Sequence, residues 1–211
     1  MDQMAEVAQA IHARFQALPG SDQISTAFAL VGLQRWLARR HLNFVLEVGG
    51  GIGCASEMLR QWAEHRPCLV VTVENDAWCL DQWRQNVRSS LEVQLAVTPP
   101  PWVWDFVVLD GPQVPPGLWE RGLAPRAVVF VEGGRRDQRR EVREALEQAD
   151  RGACEASWRP PNRSKGFSVI LADPRWSERL WFAAVRLREW GRDLPARWRG
   201  RPIGKKACGS G

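Results

Sequence analysis

Three apolar runs in the chain end on residues that can do chemistry. Residues 44–53 read FVLEVGGGIG, in which Glu47 precedes Gly49, Gly50, Gly51 and Gly53. Residues 69–76 read LVVTVEND, ending on Glu74, Asn75 and Asp76, and residues 104–112 read WDFVVLDGP, ending on Asp110. Glycine inside a strand or helix costs roughly 0.5–1 kcal/mol relative to alanine, so four together signal a tight turn that another group approaches closely. At the carboxyl end of a strand such a turn faces the crevice where open α/β sheets bind ligands. Gly49 and Gly51 can then take turn conformations closed to side chains, and Gly53 lets the following helix pack on its strand. Glu74, at the end of the second run, is placed to accept hydrogen bonds from the two hydroxyls of a ribose. A dinucleotide site needs GxGxxG to hold a pyrophosphate on a helix N-terminus. Here Ser56 stands where the third glycine belongs, and Glu47 ahead of the loop repels a pyrophosphate and attracts an ammonium group. A nucleoside bearing a cationic amino-acid part fits better than a dinucleotide.

The elements that must position these residues follow from the hydrophobic pattern. Val7, Ile11, Phe15 and Leu18 recur at near-helical spacing over Met4–Leu18, the LPGSD stretch breaks the pattern, and a second helix runs from about Ser25, as its cap, to Arg40. Strands are predicted at 44–48, 69–74, 91–97, 105–110 and 127–132, with helices at about 54–65, 77–89, 116–122 and 136–149. Strands apolar on both faces and separated by helices make a parallel sheet covered on both sides. The runs 154–158 and 166–172 are joined by a Pro-rich loop too short for a helix, which predicts a final antiparallel hairpin. The expected fold is thus a Rossmann-like three-layer α/β sandwich with a mostly parallel seven-stranded sheet. Residues 1–40 supply two N-terminal helices of the same domain, 41–173 its ligand-binding body, and 174–211 a C-terminal helix and a basic, partly disordered tail.

Composition bounds the function. The chain has 211 residues, 45% hydrophobic and 25% charged, with a net charge of +5, as in an ordinary globular protein. From Pro174 onward ten Arg and Lys face three acids, so the tail carries +7 and the preceding residues −2. No apolar run is long enough to span a membrane. The start, MDQMAEVAQAIHARF, is acidic and then amphipathic, which predicts a cytoplasmic protein. Cysteines at 54, 68, 79, 154 and 208 and histidines at 12, 41 and 65 make no zinc pattern, and the thiols are expected to be buried and inert.

Glu47-Val48-Gly49-Gly50-Gly51-Ile52-Gly53 resembles motif I of the class I S-adenosylmethionine (SAM)-dependent methyltransferases. Glu74 matches the ribose-binding acid of that family, WDFVVLDGP its fourth-strand motif, and the final hairpin its sheet; the likeness covers roughly residues 30–172. Asp110-Gly111-Pro112 and Lys165-Gly166-Phe167 are also similar to segments of small-molecule O-methyltransferases of the catechol type. The metal-dependent members carry paired ligands after strands four and five, where this chain reads DGPQ and EGGRR, so no catalytic metal is expected.

The resemblance implies transfer of a methyl group from SAM to a small-molecule hydroxyl or amine, leaving S-adenosylhomocysteine (SAH). It implies cofactor binding by Glu47, Gly49, Gly50, Gly51, Gly53, Glu74, Asn75 and Asp110. No histidine lies in the motifs, so Asp110 is also the candidate base. Arg135 and Arg136, after the fifth strand, are candidates for holding an anionic substrate, with Lys165 and Arg163 secondary. Trp102, after strand three, is expected to serve packing, with stacking on the adenine as the alternative, and Asp76 is a candidate for either flanking the adenine or capping a helix. The alternatives are an RNA or protein methyltransferase using the basic, Trp-rich tail, or a relative that binds the cofactor without catalysis.

Overall fold

The computed structural model describes residues 3–64, 66–88, 93–111, 114–115, 117–133, 135–160 and 165–193. Two helices come first, α1 (Gln3–Gln16) and α2 (Ala27–Leu37), separated by a 3-10 turn at Ser21–Gln23. Then follow β1 (Phe44–Val48), α3 (Cys54–Ala63), β2 (Leu69–Val73), α4 (Ala77–Asn86), β3 (Val93–Ala96), β4 (Trp104–Leu109), α5 (Leu118–Arg121), β5 (Leu123–Glu132), α6 (Arg136–Gln148), β6 (Ala153–Trp158), β7 (Phe167–Ala172) and α7 (Trp176–Asp193).

The seven strands form one sheet in the order β3-β2-β1-β4-β5-β7-β6. Strands β1 to β5 pair in parallel, and β7 pairs antiparallel with both β5 and β6, as the short hairpin loop requires. Alternate residues feed two cores. Val45, Phe106, Val108, Val128 and Phe130 pack with α1, α2 and α3. Leu46, Val48, Val107, Leu109, Val129 and Val131 pack with α5 and α6. Each such side chain, once fully buried, contributes about 1.5–3 kcal/mol, which is why the strands read as unbroken apolar runs.

Strand order reverses between β1 and β4, so the loops after these two strands part to opposite sides and leave a crevice. The link from β3 to β4 contains no helix: Pro99, Pro100 and Pro101 deny it helical hydrogen bonds. It returns to the amino end of β4, where Trp102 packs on Phe44 and Trp104 with ring centroids 5.3 and 5.7 Å apart. The link's direction therefore carries Trp102 away from the crevice into a packing role and not to the adenine alternative, while Val97, Thr98 and Pro99 stay beside the crevice.

Several boundaries differ from expectation. Thr26, not Ser25, caps α2, its hydroxyl accepting from the Ala29 amide at 3.1 Å. That helix ends at Leu37 rather than Arg40, and β5 begins at Leu123. Cys54 and Cys68 are buried, and burial pushes both thiols up from their ordinary range, whereas Cys79 and Cys154 are half-buried. Arg163, Pro112 and the basic tail from 194 lie outside the described residues.

Candidate functional site

The glycine loop is built by hydrogen bonds from its neighbours. The Gly49 and Gly50 amides donate to the Val73 carbonyl at 2.9 and 3.3 Å, and the Val48 carbonyl accepts from Asp110 and Gly111 at 3.0 and 2.8 Å. Gly49 sits at φ +87°, and a Cβ there would collide with the Gly111 backbone, so the loops after β1 and β4 touch through two glycines. Gly51, at φ +52°, is different: a Cβ there would meet nothing within 4 Å. Its Cα faces open space in the cleft. Gly53, also left-handed, opens α3.

Glu74 ties this loop to β2. One carboxylate oxygen accepts from the Gly51 amide at 2.8 Å, and the other from Asn75 and Asp76 at 2.8 and 2.9 Å. Asp76 caps α4 through the Cys79 amide at 2.9 Å. The cleft has a volume of about 780 Å³ and is lined by Gly49, Gly50, Gly51, Glu74, Asn75, Asp110 and Arg135. Its roof is the segment around Gly20–Ile24 together with Trp78.

Glu47 lies beneath the loop, not on the cleft wall. It is fully buried, and one of its oxygens accepts from the Ser56 and Thr72 hydroxyls at 2.5 and 2.6 Å. Ser56 in turn accepts from the Trp83 indole at 2.7 Å, which explains a hydroxyl where a dinucleotide site has glycine. Burial pushes the Glu47 carboxyl up to about 7, against the two hydroxyl donors and with the fields of Asp110 and Glu74.

Asp110, on the other side of the cleft, is backed by a second acid. Asp110 follows β4 and Glu132 ends β5, and the register pairs Leu109 with Val131, so the acids are neighbours. Burial raises both, Glu132 to about 7 with the field of Asp110 adding to it. The Ser25 hydroxyl donates to Asp110 at 2.7 Å, and the Thr26 amide faces Glu132. His12 Nδ1 lies 3.0 Å from the Ser25 carbonyl and braces that turn. Arg135 reaches Asp110 at 3.5 Å, and its Nη1 is buried without a partner among the described residues. Lys165 is exposed, and its positive charge acts on both acids. Arg136 is an exposed first residue of α6 and does not join them.

Glu132 and Ser25 were not singled out from the sequence. A signal for Glu132 was present: each of β1, β2, β4 and β5 carries an acid at or just beyond its carboxyl end, as Glu47, Glu74, Asp110 and Glu132. Ser25 gave none, because its partner is 85 residues away. Among the described residues no three His, Cys, Asp or Glu side chains stand together as metal ligands. The acid pair is met instead by a hydroxyl, an amide and a guanidinium.

No protein-family model matches the chain, and no curated protein sequence matches it. Solved structures do. An O-methyltransferase of tomaymycin synthesis from Streptomyces achromogenes, in complex with SAM, superposes with a TM-score of 0.56 at 19% identity, over 82% of this chain and 91% of that one. An O-methyltransferase from Bacillus cereus in complex with SAH gives 0.53 at 15% identity, over 81% and 91%. An SAH-bound methyltransferase from Podospora anserina gives 0.52 at 14% identity, over 81% and 87%. The sheet order, the crevice at its reversal and these superpositions agree: the chain has the fold of the class I SAM-dependent methyltransferases.

Proposed function

We propose that the chain is a SAM-dependent methyltransferase acting on a small-molecule hydroxyl or amine, without a catalytic metal, in the cytoplasm. One observation carries this reading: a single cleft is lined by a nucleoside-type half, the glycine loop and Glu74, and by Asp110, behind which Glu132 lies as a second, buried acid on the neighbouring strand. Gly49, Gly50, Gly51, Glu74 and Asn75 would hold the cofactor, with Gly53 starting the helix behind the loop. Open space at Gly51 leaves room for its backbone to meet a ligand, and Glu74, with two oxygens and three amide donors, retains capacity for a ribose hydroxyl. Glu47 acts from below as a buried support for the loop.

When bound, SAM supplies a methyl group on a sulfonium, activated for direct displacement. The acceptor oxygen or nitrogen forms a bond to that carbon as the S–C bond breaks, its proton must leave, and SAH remains. The fully ionised Asp110–Glu132 pair receives the proton, and its raised basicity suits that task near neutral pH. Ser25 and Arg135 orient Asp110. Arg135, through its unpartnered Nη1, and Lys165 would hold an anionic part of the acceptor, with Arg136 at most a distant field. Alignment of acceptor and methyl donor supplies several kcal/mol of the acceleration. Incubation of the protein with methyl-labelled SAM and a panel of hydroxy and amino metabolites tests the reading. Label should transfer to a small acceptor in wild type and not in Glu132→Gln; transfer only to RNA or protein would refute the acceptor class.

A further inference from the structure

A second cavity, of about 590 Å³, lies at the opposite end of the sheet from the cleft, between the end of α2, the start of β5 and α7. Three arginines line it. Arg40 donates to the Arg126 carbonyl at 3.0 Å and lies 3.4 Å from Glu178, and Arg126 pairs with the same Glu178 carboxylate. Both oxygens of Glu178 are engaged, the other one accepting from the Arg175 amide at 2.8 Å. The cavity's remaining acid, Asp105, is engaged by the Asn43 and Phe44 amides at 2.8 and 3.0 Å. Arg39 has no carboxylate partner among the described residues; its guanidinium lies over Trp36 and Trp181, 5.2 and 5.6 Å from their ring centroids.

Three guanidiniums thus face one carboxylate that two of them already share, and Arg126 Nε is buried with no hydrogen-bond partner among the described residues. Arg126 also sits at φ +62°, uncommon for a residue with a side chain, beside a register irregularity in β5. The backbone there takes an unfavoured conformation that sets a guanidinium at the cavity. Planar guanidinium forks match carboxylates and phosphates, and Glu178 already demonstrates the fit of one carboxylate between two of them. The walls opposite are apolar: Trp181, 41% exposed, is edge-on to Trp36, with Phe182 and Leu42 behind.

We propose that this cavity is a second ligand site, distinct from the methyl-transfer cleft, for a small phosphate or carboxylate carried on a flat aromatic body. The anion sits against Arg126 and Arg39, and the ring packs on Trp181.

Phenyl phosphate and inorganic phosphate serve as probes, titrated calorimetrically into the full chain with and without SAH. Phenyl phosphate should bind once per chain, about tenfold tighter than inorganic phosphate, because ring packing contributes about 1 kcal/mol or more. Its affinity should not change with SAH. Arg39→Gln and Arg126→Lys should each weaken it about tenfold while leaving thermal unfolding and SAH affinity near wild type. Arg39 is exposed, so its variant remains informative if the Arg126 variant unfolds. Absence of saturable binding, competition with SAH, or indifference to Arg39→Gln would overturn the proposal. Saturable binding and its response to Arg39→Gln are read even if SAH itself does not bind, so failure here is separable from failure of the methyltransferase reading.

Discussion

At the scale of single residues, the chemistry turns on carboxyls whose environments hold them near neutrality. Glu132 is pushed up to about 7 by burial and by Asp110. If the ionised pair is the base, turnover rises with pH through about 7, and Glu132→Gln removes that rise. Its rate should fall by about 10²–10⁴-fold, with SAH affinity changed only a few-fold, since the residue lies behind Asp110 and is not among those that line the cleft. Glu47 makes a separate prediction about stability. Its folded value of about 7 lies above the ordinary 4.5, so the folded state binds the extra proton between these two values. Stability therefore falls as pH rises from 4.5 to about 7, by roughly 3 kcal/mol in total. Glu47→Gln mimics the protonated form, and relative to wild type it should be more stable at pH 8 than at pH 5 in urea unfolding. Glu47 and Glu74 were legible because each ends an apolar run, yet the same sequence pattern set one beneath the loop and one on the cleft wall. Only packing by Ser56, Thr72 and Trp83 distinguishes them.

At the scale of elements, the strands were legible because burial on both faces leaves continuous apolar runs, and the hairpin because its link is too short for a crossover. What the pattern could not carry was direction and distant pairing. Trp102 reads as a neighbour of the cleft from its place after β3, but the Pro-rich link has already returned to the other end of the sheet. Ser25 reads as the cap of the second helix; in the structure Thr26 caps it while Ser25 reaches Asp110. The division of labour is testable. Thr26→Ala should destabilise the protein by about 1 kcal/mol through the lost cap. Ser25→Ala should spare that helix and act on turnover instead. Gly49→Ala should be more damaging than either, because a Cβ at φ +87° collides with the Gly111 backbone and separates the loops after β1 and β4. Denaturant melts and SAH titrations of the three variants separate these effects.

At the scale of the whole molecule, the topology puts four strand-end acids at one end of the sheet and three arginines, two just after α2 and one in β5, at the other. The three-layer arrangement was legible from the alternation of strands and helices, whereas the acid pair depends on β4 and β5 being adjacent and in register. That pair is served by Ser25, Arg135 and Lys165 rather than by further metal ligands, so methyl transfer should survive EDTA. Loss of activity on chelation, restored by magnesium, would mean that the acids serve a cation instead. The central claim is that the glycine loop and Glu74 form a SAM site. Calorimetric titration of the purified chain with SAH, and separately with NAD, tests it most directly. SAH should bind one per chain and lose at least tenfold in affinity in Glu74→Ala and Gly49→Ala, with NAD silent. Tight NAD binding with no response to SAH would contradict the account.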